Sequence, residues 1–313
     1  MPFCEQCGHE VSESAKFCPA CGSAQPCEGR MNSRVVLVTG SSGLVGASVV
    51  GGVAGRFKVR GIDRADGPAT DIVGDLRDAA VRRRALRGVW AVVHIAALHA
   101  PQVGVVDDSE FWEVNVDATE ALIRDAVEAG VERFVYTSST SVYGHALVPS
   151  EGKAVWVDEG LEAVPRDIYD ETKLTAEGMA ASSVIPTAVL RIARCFPEPP
   201  ATAATHRLYR SVDVQDVATA HLLALDQAEV RGTFNVAGPV LFKPSDVYEL
   251  WMDSQSLIRR RLPKVAEAFE KRGWPLPSQI DRVYDSGLAG RVLGYQPRAG
   301  VLDAERTGPT GQR

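Results

Sequence analysis

The sequence predicts an α/β protein, a doubly wound parallel sheet with a small C-terminal lobe, preceded by a short metal-folded segment. Three observations predict it. Cys4, Cys7, Cys18, Cys21 and Cys27 crowd the N-terminus, while Cys195 stands alone. A wholly apolar run, Val35–Val38, passes into Thr39-Gly40-Ser41-Ser42-Gly43-Leu44-Val45-Gly46 and then a helix-length apolar stretch. Further strand-length segments follow at 57–62, 92–97 and 187–193, separated by helix-length segments, as expected of a parallel sheet with crossover helices.

The chain has 313 residues, 45% of them hydrophobic and 24% charged. That composition excludes collagen-like, coiled-coil and wholly disordered chains. Its 34 basic against 40 acidic residues give a net charge of −6, so nucleic acid is not an expected partner. Met1-Pro2-Phe3-Cys4-Glu5 has neither the basic nor the apolar region of a signal peptide. The uncharged stretch from Val35 to Gly55 is long enough to span a bilayer, but Thr39–Gly43 interrupts it, so strand, turn and helix explain it better. No membrane association and a cytoplasmic location are expected, and a lone Cys195 suits a reducing compartment.

Cys4, Cys7, Cys18 and Cys21 form C-x2-C-x10-C-x2-C, with Gly8 and Gly22 following each pair. Thiolates two residues apart can face one ion when the chain turns tightly, and four of them suit tetrahedral zinc. Two disulfides are the competing reading, disfavoured in a reducing compartment. The segment resembles a zinc ribbon over residues 3–23. Its apolar residues are Phe3, Val11 and Phe17, too few for a core, so structural zinc must supply the folding energy. His9 and Cys27 read as bystanders. Residues 1–24 are thus a ribbon, 25–33 a linker, and 34–313 the main domain. A protein partner through the ribbon is one expectation.

The glycines Gly40, Gly43 and Gly46 sit between a strand and a helix, where they permit a tight turn and close approach of a pyrophosphate to helix N–H groups. This is the Rossmann-type dinucleotide arrangement, with Ser42 and Leu44 in the same loop. The next strand ends in Asp63, about 20 residues on, where a carboxylate accepts the ribose hydroxyls of NAD. Arg64 could pair with a 2′-phosphate, leaving NADP as the weaker alternative.

Thr-Gly-x-x-Gly-x-x-Gly resembles the short-chain dehydrogenase/reductase superfamily. Asp75-Leu76, Val92–Ala97, Asn115-Val-Asp-Ala-Thr119 and Phe134–Gly144 resemble its extended, sugar-epimerase-like branch, over about residues 34–300. The resemblance implies that Asp75 and Leu76 hold the adenine and that Val92–Ala97 is a fourth strand under the cofactor, bringing Ala96 against it. It implies Asn115 as a structural or proton-relay residue, and a homodimer.

Tyr169-Asp-Glu-Thr-Lys173 is Y-x3-K, which puts phenol and ammonium on one helix face. The Lys173 charge, together with the nicotinamide charge of the oxidised complex, is expected to lower the phenol toward neutrality, letting it take a substrate proton while Lys173 reaches the nicotinamide ribose. The resemblance puts the catalytic hydroxyl on Ser139, with Ser138 as the fallback. Thr140 and Ser141 stand where dehydratases carry Asp-Glu, so dehydration is set aside.

The leading expectation is an NAD-dependent, epimerase-like oxidoreductase acting on a sugar or nucleotide-sugar hydroxyl. Cys-x-Pro-Glu-Pro at 195–199 is similar to uronate dehydrogenases, which makes a uronate or aldose dehydrogenase the alternative. A nucleotide-sensing binding protein is the second alternative. Residues 194–212 and 240–300 are expected to form the substrate lobe, with Arg194, Arg207 and Arg210 candidate anion ligands. Ser286–Pro297 resembles the epimerase-like ending, with Gly287 in place of Lys. Cys195 reads as a core residue and the basic run at 259–261 as a solvated face.

Purified protein should carry about one zinc per chain by elemental analysis. Removing residues 1–30 should leave the main domain folded and able to bind NAD; loss of NAD binding would defeat the two-module reading.

Overall fold

The computed structural model describes residues 33–227 and 229–303, together with Cys7, His9, Glu10, Ala20 and Cys21. Of the expected zinc ligands, Cys4 and Cys18 lie outside the described residues, as do Cys27 and the linker up to residue 32; Cys7 and Cys21 are exposed.

Strand β1 (Val35–Thr39) leads through the glycine loop to helix α1 (Leu44–Val53), then to β2 (Lys58–Asp63) and the short β3 (Ile72–Val73). Helix α2 (Ala79–Leu86), β4 (Val89–His94), α3 (Asp108–Phe111), a π-helical stretch Trp112–Asp117, α4 (Ala118–Glu128) and β5 (Arg133–Ser139) follow. After β6 (Val155–Val157) come α5 (Ile168–Ala181), β7 (Thr187–Ile192), α6 (Pro200–Arg207), α7 (Val214–Asp226) and β8 (Gly232–Val236). The chain continues with α8 (Val247–Arg261), α9 (Pro263–Lys271), β9 (Arg282–Tyr284) and α10 (Gly287–Leu293).

Seven strands form one sheet in the order β3-β2-β1-β4-β5-β7-β8, and every neighbouring pair is parallel. The strand order reverses between β1 and β4, which opens a crevice at their C-terminal ends. Alternation along β1 explains the apolar run: Val36 and Val38 enter one core with Val49 and Val217, while Leu37 enters the other with Val92, Leu122 and Ala176. The helices start where acceptors meet unpaired N–H groups. Asp78 accepts from Ala80 and Val81 N, Asp167 from Asp170 N, and Asp213 from Gln215 N.

Three expectations are adjusted. The fourth strand ends at His94, not Ala97, because the Ile95 and Ala96 N–H groups turn to the Thr39 hydroxyl at 3.0 and 3.1 Å rather than to a sheet partner. Asn115 lies on the π-helical stretch, not on the helix proper. The lobe also recruits residues near β6: Ala154 packs with Phe242, Leu250, Leu257 and Phe269, and β6 pairs parallel with β9. Helix α8 is broken at Asp253 (φ −158°, ψ 71°), whose carboxylate accepts the Ser256 N–H and restarts the helix. Among the described residues, no helix is long and apolar enough to cross a membrane.

Phe269 is fully buried in the lobe core, edge-on to Trp274 at 5.6 Å. Phe269→Ala should cost about 3–5 kcal/mol of stability, read as a lower urea midpoint; a change within error would show that the lobe does not unfold with the sheet.

Candidate active site

The crevice holds a cavity of about 530 Å³. Its nucleotide end is built by the β1 loop. Gly40 has φ +72°, and a Cβ there would lie 2.9 Å from Ala96 N. A Cβ on Gly46 would lie 1.9 Å from Gly40 O. No other side chain fits either position, so the helix N-terminus is free to receive a pyrophosphate. The residues present therefore fit a dinucleotide. Gly43, Leu44, Asp63, Arg64, Asp75, Leu76 and Ala96 also line the cavity.

Asp63 accepts Ser42 N and Ala65 N, each at 3.0 Å, which fixes the carboxylate at the end of β2. Arg64 lies 3.9 Å from Glu110, so its charge is partly met from within the chain. Asp75 is held by the Arg77 guanidinium at 2.8 Å, and that hydrogen bond pulls its carboxyl below the ordinary value against the effect of burial. Ser42 is not part of the cavity wall. Its hydroxyl donates to Ala65 O at 2.8 Å and meets Thr70 Oγ1 at 2.7 Å.

At the other end, Tyr169 and Ser139 line the cavity together with Lys173. Ser138 also lines it, but its buried Oγ has no partner among the described residues. The expected lowering of Tyr169 is not what the protein alone provides. Burial pushes the phenol up to about 12, with the Ser139 side chain opposing. Lys173 cannot reverse this, because burial brings its own ammonium down to about 7. Its Nζ donates to Thr137 O at 2.8 Å and lies 4.2 Å from the Tyr136 ring centroid.

Asn115 is buried and makes no polar contact with Tyr169 or Lys173 side chains. Its Oδ1 accepts Leu98 N at 2.7 Å, and its Nδ2 donates to Leu98 O at 3.0 Å and Thr172 Oγ1 at 3.1 Å. It thus ties the loop after β4 to α5. Sequence reading missed the tie behind it: Thr39 Oγ1 meets His94 Nδ1 at 2.7 Å, and His94 Nε2 meets Thr119 Oγ1 at 2.8 Å. A fully buried His at the end of an apolar strand was the available signal.

The walls beside Ser139 and Tyr169 include Leu98, Val114, Ile192, Phe196 and Pro197. Of the three arginines expected to bind an anion, Arg194 lines the cavity, but its Nε donates to Glu198 Oε1 at 2.8 Å. Arg207 is off the wall, with its guanidinium on Asp213 and on Gly300 O. Arg210 is also off the wall, beside the Tyr209 ring. Cys195 lines the cavity, and burial pushes its thiol up to about 12, which makes it an inert wall.

Residues 36–195 match the profile of the NAD dependent epimerase/dehydratase family, and residues 3–25 match a zinc-ribbon domain. The chain belongs to the NAD-dependent epimerase/dehydratase family. A 3-beta-hydroxysteroid dehydrogenase of Mycolicibacterium neoaurum is 34% identical over 179 residues, 49% of this chain and 47% of that protein. An N-acetyl-alpha-D-glucosaminyl-diphospho-ditrans,octacis-undecaprenol 4-epimerase of Escherichia coli O157:H7 is 32% identical over 117 residues, 36% of this chain and 34% of that protein. The chain spans about half the length, or less, of the curated relatives first matched. Among solved structures, a short-chain dehydrogenase/reductase superfamily protein from Agrobacterium tumefaciens with bound NAD superposes with a TM-score of 0.65. It is 23% identical and covers 88% of this chain and 96% of its own, a likeness of fold.

In this family member Lys173 is depressed from its ordinary 10.5 to about 7. Between those values the unfolded chain holds a proton that the folded chain has given up, so stability rises with pH across the window. The unfolding free energy of wild type relative to Lys173→Met should therefore increase from pH 7 toward pH 10 in urea titrations. A flat difference would mean that Lys173 is solvated.

Proposed function

We propose that this family member is an NAD-dependent oxidoreductase that removes hydride from a secondary alcohol carbon of a ring substrate, with Tyr169 as general base. The observation that carries this is that Ser139, Tyr169 and Lys173 line the same cavity as the Gly40–Gly46 cradle. NAD held there supplies the hydride acceptor and a cationic nicotinamide. Gly40 and Gly46 keep the pyrophosphate end open, and Asp63 faces the ribose hydroxyls. Ser139 donates to the reacting oxygen and aligns it with Tyr169. The phenol, as phenolate, takes the hydroxyl proton while the hydrogen on the same carbon leaves with its bonding electrons as hydride, which bound NAD would accept, so the product is a ketone.

The phenol starts near 12, so the base must be made by added positive charge. Burial raises the phenol, yet the same low dielectric strengthens any cation beside it. Lys173 is positioned through its Nζ, which donates to Thr137 O and keeps further N–H groups for an orienting contact.

Leu98, Val114, Ile192, Phe196 and Pro197 form the wall at the reacting end. They favour a ring alcohol with apolar flanks and one-way dehydrogenation, in line with the hydroxysteroid dehydrogenase relative. The nucleotide-sugar epimerase reading is the second. It is favoured by the Ser286–Pro297 pattern, and the match over 117 residues to an undecaprenol-linked sugar 4-epimerase supports its epimerisation step.

A panel of 3-hydroxysteroids and UDP-sugars, followed by NADH absorbance and product chromatography, separates the two. NADH accumulation with a hydroxysteroid supports the first; conversion of a UDP-sugar without net NADH supports the second. Tyr169→Phe should bind NAD as wild type does and lose about 10²–10⁴-fold in kcat. Undiminished turnover by that variant would remove Tyr169 as the base.

A further inference from the structure

Arg194 occupies a distinctive place in the fold. It follows β7, whose Ile192 pairs in register with Ser139 of β5. The strand order puts β4 and β5 between β7 and the β1 glycine loop. Arg194 therefore stands on the reacting side of the cavity, away from the cradle that receives the pyrophosphate. Among the described residues lining the cavity, the Lys and Arg side chains are Arg64, Lys173 and Arg194. Arg64 belongs to the nucleotide end, next to Asp63. Lys173 is buried with its Nζ on Thr137 O. Arg194, with its side chain 37% exposed, is the cation a substrate would meet there.

That cation is already answered. Arg194 sends both Nε and a terminal nitrogen to Glu198 Oε1, at 2.8 and 2.7 Å. Glu198 Oε2 accepts His206 Nδ1 from α6 at 2.7 Å. The Glu198 side chain is only 9% exposed. Burial works to raise its carboxyl, but the hydrogen bonds from Arg194 and His206 outweigh it and hold the group below its ordinary value. The guanidinium also lies 5.3 Å from the Phe196 ring, a cavity wall. Arg194 is thus fixed by a carboxylate on one side and an aromatic face on the other.

We propose that Glu198 is a specificity-determining residue: it neutralises Arg194 at the reacting end of the cavity, so the site rejects anionic substrates and takes an uncharged secondary alcohol. The proposal deepens the first reading above, and rests on it only for the alcohol. An incoming phosphate or carboxylate at Arg194 would share its cation with the buried Glu198 carboxylate and lie beside that like charge. Discrimination of this kind comes from a built-in repulsion as much as from attraction to the right ligand. An uncharged alcohol meets no such penalty, and the Arg194–Phe196 plane remains available for apolar contact.

The test is calorimetric titration of full-length, NAD-saturated protein with UDP as the diphosphate probe. NAD saturation keeps the probe out of the nucleotide end. Wild type should show no saturable binding at millimolar UDP. Glu198→Gln, with NAD affinity unchanged, should bind UDP at least about tenfold more tightly, and the double variant Arg194→Gln/Glu198→Gln should lose that gain. Glu198→Ala carries the same expectation and serves if the Gln variant loses NAD affinity. Saturable UDP binding by wild type overturns the proposal, as does a folded Glu198 variant with no gain. Failure of the alcohol reading is distinct, since it shows as absence of NADH from hydroxysteroids whatever UDP does.

Discussion

Both ends of the cavity hang on one buried hydrogen-bond chain running through His94. The Thr119 hydroxyl donates to Asn115 O at 2.7 Å, so it must accept from His94 Nε2–H. His94 Nδ1 is then the acceptor for the Thr39 hydroxyl, which leaves the Thr39 oxygen to accept Ile95 and Ala96 N. Every proton in the chain has one consistent place. Burial, followed by the Lys173 charge, brings the imidazole down to about 3, so the ring stays neutral and the tautomer does not switch near neutral pH. Thr39 precedes the glycine loop, and the Asn115 amide reaches Leu98 and, on the Tyr169 helix, Thr172. The nucleotide cradle and the Tyr169 helix are therefore held in one frame by groups that never touch a ligand.

Desolvation is the second constraint, and it acts on the two halves of the Y-x3-K pair in opposite senses. It raises the phenol and lowers the ammonium, because each neutral form is the better guest of an apolar cavity. Reactivity then waits on an added charge rather than being present in the resting protein. Beneath the site, the charges are met in pairs: Arg191 on Glu177 at 2.7 Å and Arg82 on Asp125 at 2.7 Å. Arg133, nearly fully buried, donates to Ala224 O and Val230 O, which satisfies carbonyls at the end of α7. Such pairs hold the sheet and helices in register while the cavity itself stays largely apolar.

The nucleotide end was the more legible half because its requirements are local. A glycine at +72° and another against a carbonyl are demands on the backbone within seven residues, and the sequence writes them as Gly40, Gly43 and Gly46. Asp63 follows at a set distance because β2 must return beside β1. Y-x3-K is likewise one turn of one helix. The partner of the Ser42 hydroxyl was not legible, since the chain that claims it, Ala65 to Thr70, is a separate loop.

By itself, the sequence determined the sheet, the glycine cradle and the one-turn spacing of Tyr169 and Lys173, because each rests on periodicity or short spacing along the chain, while the family and Ser139 came from resemblance. Only the tertiary structure decided what those groups are surrounded by. The sequence offered Arg194, Arg207 and Arg210 as equal anion ligands. Folding put Arg207 against Asp213, Arg210 beside Tyr209, and Arg194 alone on the wall with Glu198 across it. It also buried Tyr169 and Lys173 deeply enough that, in the protein alone, the phenol is raised. Charge balance and desolvation depend on neighbours brought together across the chain, and no spacing along the sequence encodes them.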